Sequence, residues 1–111
     1  MIIKDEILKQ VSDFESTCKS YSVKSLYAFG SATTDQFDEE KSDIDLLVEI
    51  DDSDPIERGE KLMSLWDYFE FFFHRKVDLL TDGSIRNPYL RKSIDTTKIL
   101  IYDGKRAKVS F

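Results

Sequence analysis

A run that should be a buried strand, Ile44-Asp45-Leu46-Leu47-Val48, carries one carboxylate inside it, and a second, Asp43, stands just before it. Successive strand side chains point to opposite faces. Asp43 and Asp45 therefore share one face, about 7 Å apart, while Ile44, Leu46, Val48 and Ile50 occupy the other. Two like charges on one face of a hydrophobic strand meet a large desolvation cost unless a cation or water compensates them. The segment predicts either a rigid two-carboxylate metal platform or a solvated strand end. A short way upstream, Val23 to Phe29 reads as a half-buried strand that Gly30 ends. A glycine followed by Ser31 at a strand end lets backbone N–H groups and a hydroxyl approach a phosphate closely, with a short helix beginning there. Most Gly-Ser pairs are ordinary turns, and only the nearby Asp pair lifts this one above them.

The remaining elements follow from periodicity and punctuation. Ile3, Ile7, Val11, Phe14 and Cys18 recur at three- and four-residue steps and predict an amphipathic helix over roughly residues 3 to 19, with Cys18 packed as a small apolar group. Residues 32 to 42, with Thr33, Thr34, Asp35, Asp38, Glu39 and Glu40, lack apolar periodicity and predict a loop or frayed turn. Asp54, Pro55 and Glu57 form a capping box for a helix over roughly residues 55 to 73, buried through Leu62, Leu65, Trp66, Phe69, Phe72 and Phe73 with Met63 beside that face. Phe71 lies nearly opposite Phe69 on that helix; it marks either an earlier helix end, the favoured expectation, or a partner surface. His74, next to Arg75 and Lys76, suits the last carbonyls better than a metal. An EF-hand beginning at Asp43 is excluded, because Leu46, Leu47 and Val48 replace the polar ligands and the glycine.

Val77-Asp78-Leu79-Leu80 repeats the pattern of an apolar strand holding one acid. Strand, helix, strand over residues 43 to 80 is a crossover unit, which sets the two strands parallel and lets Asp78 converge with Asp43 and Asp45. Ser84, or Asn87 followed by Pro88, caps a third helix with Tyr89, Leu90 and Ile94 as its apolar residues. Lys98 to Tyr102 reads as the last strand, stopped by Asp103-Gly104, and the basic tail from Lys105 to Phe111 either docks or stays disordered.

Length and charge bound the function. A chain of 111 residues, 41% of them hydrophobic, predicts one domain over residues 1–104 with the tail at 105–111. A net charge of −6 argues against direct binding to nucleic acid or anionic membrane. One cysteine and the lack of a signal-peptide pattern or a spanning apolar run lead to the expectation of a soluble, cytoplasmic protein. Three acids on adjacent strands with Gly30-Ser31 beside them suit two-metal phosphoryl or nucleotidyl transfer. A triphosphate would be repelled by Asp43, Asp45 and Asp78 unless divalent ions, most plausibly two Mg²⁺, bridged them.

Gly30-Ser31, the spacer, Asp43-Ile44-Asp45-Leu46-Leu47-Val48 and Val77-Asp78-Leu79 together resemble the minimal nucleotidyltransferases of the DNA polymerase β superfamily. The resemblance runs from the first helix to Lys98-Ile99-Leu100-Ile101-Tyr102. It implies an α+β fold, a small mixed β-sheet with flanking α-helices, and Mg²⁺-dependent transfer of a nucleoside monophosphate from a triphosphate such as ATP. It also implies catalytic and metal roles for Asp43, Asp45 and Asp78, with nucleotide contacts at Gly30 and Ser31. Relatives often carry a basic residue soon after Gly-Ser. Ala32, Thr33 and Thr34 stand there instead, leaving Lys41, Arg86, Arg91 or Lys92 to supply that charge. No residues remain for an acceptor-binding domain, so a homo-oligomer or a separate protein should complete the site. Such small proteins are similar to antitoxins that adenylylate a tyrosine of a HEPN-type RNase toxin, which implies the same role here. Two other readings stand beside it: a catalytically inactive module that neutralises its partner by contact, and an aminoglycoside-type transferase acting on a small molecule.

Overall fold

A computed structural model describes residues 2–34, 38 and 42–111. Two short helices, α1 (Ile2–Lys9) and α2 (Val11–Ser20), lead into β1 (Val23–Phe29) and a single 3-10 turn over Gly30–Thr33. Then come β2 (Ile44–Ile50), α3 (Pro55–Phe73), β3 (Val77–Leu80), α4 (Pro88–Thr97), β4 (Ile99–Asp103) and β5 (Lys108–Val109). Among the described residues five strands form one mixed sheet in the order β3-β2-β1-β4-β5, in which β2 and β3 run parallel and the other neighbours antiparallel. This is the α+β architecture with flanking helices that the sequence predicts. Among the described residues no helix is long and apolar enough to cross a membrane.

Strand alternation divides the packing into two clusters. Ile44, Leu46, Val48 and Ile50 join Leu26, Ala28, Val77 and Leu79 beneath Ile3, Ile7, Phe14, Cys18, Leu65 and Phe69 in the main core. Leu47 points the other way, to Phe29 and Ile94, with Leu80, Ile85 and Leu90 around them, so α4 covers the opposite face. Asp43 and Asp45 share the parity of Leu47 and belong to the α4 side. Cys18 is wholly buried, and burial pushes its thiol up to about 12, in keeping with an apolar packing role.

Several expectations need correction. The first helix is two helices, because Gln10 leaves helical geometry at φ −142°, and its amide donates to Ile7 O as in a tightened last turn. The break lets Phe14 and Cys18 turn into the same core as Ile3 and Ile7. Helix α3 does not stop early: it continues through Phe73, burying Phe72 and Phe73 while Phe71 is left 76% exposed. His74 caps it at φ 53°. At the other end Asp54 accepts from the amides of Ile56 and Glu57, but its own amide donates to the Asp52 carboxylate, so Asp52 takes the reciprocal place expected of Glu57. Asn87, rather than Ser84, caps α4 by accepting from Tyr89 and Leu90. Lys98 lies outside the next strand, and β4 is not the last one: the tail returns as β5, with Val109 N–H donating to Glu15 Oε2 at 2.8 Å. Gly104 makes that return possible, since a Cβ there would collide with the backbone of Val23 and Lys24. The expected acids Asp35, Glu39 and Glu40 and the candidate cation Lys41 lie outside the described residues.

Candidate active site

Strand pairing assembles the three carboxylates. In the parallel β2–β3 ladder Asp45 stands directly opposite Asp78, with Ile44 on Val77 and Leu46 on Leu79. Asp43 precedes β2 by one residue and is half-buried on the same side as Asp45. Helix α3 fixes where β3 begins: the Trp66 indole N–H donates to Val77 O at 2.7 Å, and the Val77 amide donates to Glu70 Oε2 at 3.0 Å. Both backbone polar groups of Val77, the residue before Asp78, are thus tied to one helix.

The Gly30-Ser31 turn meets these acids from β1. Phe29 pairs with Asp45 across the antiparallel ladder, and Gly30 follows at φ 70°, a conformation that favours glycine. A Cβ on Gly30 would come within 2.9 Å of Asp45 Oδ2. The Gly30 amide donates to Thr97 Oγ1 at 2.8 Å, and Thr33 Oγ1 donates back to Gly30 O at 2.8 Å. Four of the five predicted residues, Gly30, Asp43, Asp45 and Asp78, therefore lie around one sheet end, with Ser31 half-buried in the adjoining turn. A concavity of about 660 Å³ elsewhere on the molecule, lined by Ser25, Tyr27, Glu49, Asp82 and Lys98, includes none of the five.

The electrostatic penalty of the cluster falls on Asp45. Burial, then Asp78, then Asp43 raise its carboxyl from 3.8 to about 6. Lys76 lies 3.8 Å from Asp43 Oδ2 in a partly exposed ion pair, a cation at the site edge that spacing did not single out. Of the cations the sequence offered for phosphate, Arg91 is committed to Asp82 at 2.8 Å, whereas Arg86 and Lys92 are exposed.

Among the described residues no three His, Cys, Asp or Glu side chains are already drawn into a metal cage. A magnesium-type site does not require one. That ion is commonly held by one or two carboxylates and takes its other ligands from substrate phosphates and water. Hard oxygen donors, mutual repulsion and a half-buried Asp45 against a glycine fit such a cation. Thr97 and Glu70 escaped sequence reasoning, as did the parts that Lys76 and Trp66 play here, because nothing local connects a threonine in the last turn of α4 to a glycine after β1.

Residues 5–101 match the family model described as nucleotidyltransferase domain. Two candidate protein adenylyltransferases of Methanocaldococcus jannaschii are similar in sequence. One is 43% identical over 81 residues, 73% of this chain and 79% of that protein. The other is 40% identical over 83 residues, 75% of this chain and 81% of that protein. Among solved structures, a candidate minimal nucleotidyltransferase shares the fold with a TM-score of 0.57 at 23% identity, covering 85% of this chain and 92% of that one. A toxin–antitoxin crystal structure with AMP-PNP gives a TM-score of 0.53 at 21% identity, covering 88% and 80%.

Proposed function

The chain belongs to the nucleotidyltransferase domain family, and from that premise we propose that it transfers AMP from ATP to a tyrosine of a partner protein, a HEPN-type toxin that it thereby neutralises. The observation that carries the reading is the register of Asp45 on Asp78, with Asp43 and the Gly30 turn beside them. Support for AMP and a protein acceptor comes from the candidate protein adenylyltransferases at 43% and 40% identity.

The tyrosine oxygen attacks the α-phosphorus of ATP, the bond from that phosphorus to the bridging oxygen of the β-phosphate breaks, and pyrophosphate leaves with the electron pair. Asp78, on the outer strand of the pair, faces the acceptor and takes the phenolic proton. Asp43 and Asp45 hold the triphosphate side, and Gly30-Ser31 offers backbone and hydroxyl contacts to phosphate oxygens. Asp43, Asp45 and Asp78 would hold two Mg²⁺, whose charge would neutralise the triphosphate and the charge that develops in an in-line displacement. Cations are needed because a chain of net charge −6 with three acids at its site repels ATP.

The test incubates the protein with labelled ATP, Mg²⁺ and a HEPN-type toxin offered as acceptor, comparing wild type with Asp43→Ala/Asp45→Ala. Label on a toxin tyrosine with wild type alone is the expected result, and no transfer to any partner overturns it. The lack of a cation at Ala32, Thr33 and Thr34 favours a second reading, neutralisation by contact; the double variant would then protect as well as wild type.

A further inference from the structure

Helix α3 has two faces that bear large hydrophobic residues, and the fold uses one of them. Leu65, Phe69, Phe72 and Phe73 are buried in the core. On the outward side Ile56, Met63 and Phe71 are 74%, 60% and 76% exposed, half of the exposed large hydrophobic residues described. At 100° per residue these three fall within one narrow stripe, and Glu60 and Asp67 lie between them on the same line. The order Ile56, Glu60, Met63, Asp67, Phe71 advances by four, three, four and four residues, the spacing of a helix seam. The helix is 19 residues long, so the stripe runs along an element of about 28 Å.

The stripe also has a receiving shape. Ile56, Gly59, Glu60 and Met63 occupy positions i, i+3, i+4 and i+7, the four corners of the hole into which a facing helix inserts a side chain. They line a shallow concavity, and a Cβ on Gly59 would meet nothing within 4 Å. A glycine inside a helix costs about 1 kcal/mol relative to alanine, and the fold makes no evident use of this one.

Charge selects the occupant. Among the described residues neither Glu60 nor Asp67 forms an ion pair, and the nearby cations of α3 turn away: Arg58 donates to Asp52 O and Lys61 pairs with the Asp52 carboxylate. A second copy is a poor fit. An antiparallel pair that sets Ile56 on Phe71 also sets Glu60 on Asp67 of the other copy, and a parallel pair sets each acid on itself. An apolar helix flanked by lysine or arginine fills the hole and answers both acids. We propose that the outward stripe of α3 is the docking surface for a basic amphipathic helix of the acceptor protein. It rests on the function proposed above only in taking the acceptor to be a protein.

The test uses the whole protein without nucleotide and a synthetic three-heptad helix with leucine at its seam and lysine on its flanks. A twin with glutamate on its flanks serves as control. The expected result is binding of the lysine peptide with amide shifts concentrated at Ile56 to Phe71. Binding should weaken on the order of tenfold in Glu60→Lys/Asp67→Lys and about twofold or less in the charge-matched Asp5→Lys/Asp95→Lys. Equal binding of the glutamate twin, indifference to the α3 reversal, or shifts centred on other elements overturns it. So does a wild-type dimer in sedimentation that Met63→Asp dissolves. Since no nucleotide is present, a toxin that is never adenylylated sinks the proposed reaction and leaves this result standing.

Discussion

Gly30 and Thr97, 67 residues apart in sequence, are joined by a 2.8 Å hydrogen bond from the glycine amide to the threonine hydroxyl. The hydroxyl in turn donates to Ser93 O at 2.6 Å, so the last turn of α4 holds the turn that faces the acids. Thr97→Val strands the amide and should cost about 1 kcal/mol in urea unfolding. ATP affinity measured by calorimetry should fall several-fold in the same variant, while Thr97→Ser keeps the acceptor and should match wild type on both counts.

Gly30→Ala combines two penalties. The residue sits at φ 70°, and the new methyl group falls 2.9 Å from Asp45 Oδ2. Destabilisation of about 1–2 kcal/mol is expected, together with a drop in adenylyl transfer exceeding about tenfold, because Asp45 must move. Differential scanning calorimetry and the labelled-ATP assay check the two effects separately.

Asp45 ties stability to pH. Its carboxyl titrates near 6 in the folded chain, owing to burial and then to Asp78 and Asp43, against 3.8 ordinarily. Between those values the native state binds more protons than the unfolded one, so metal-free stability falls as pH rises from about 4 to 6 and levels off above. Thermal melts in chelator should show that decline. Asp45→Asn should flatten it and raise the melting temperature at pH 7.

Trp66→Phe deletes the 2.7 Å indole hydrogen bond to Val77 O while keeping an aromatic ring in the core. A loss of about 1–2 kcal/mol is expected. Hydrogen exchange should accelerate along β3 more than along β1, since β3 relies on α3 for its anchoring.

Much of this geometry was legible because it follows from short-range rules. The period of two placed Asp43 and Asp45 on one face, and the strand-helix-strand crossover aligned β3 with β2, which brings Asp78 opposite Asp45. Asp54 and Asn87 announced the starts of α3 and α4 through side-chain capping. What escaped depends on tertiary contact. Gln10 lies in an unbroken apolar period, and only the need to bury both Ile7 and Phe14 reveals the bend. Lys76 reads as one more surface cation until Asp43 stands 3.8 Å away. Strand β5 has two residues, too few for any periodic signal, and owes its place to the Gly104 turn and the Glu15 carboxylate.

The sheet order also bears on the sequence of events during folding. The β1–β2 pairing is antiparallel between strands adjacent in the chain, whereas Asp45 meets Asp78 only when the long excursion through α3 closes and the edge strand β3 is captured. Closing that larger loop carries the greater entropic cost, and β3 contributes only four residues in return. A nascent chain with β1 and β2 already paired still lacks its third carboxylate. The cluster of three carboxylates is thereby completed late, and a partly folded molecule lacks it.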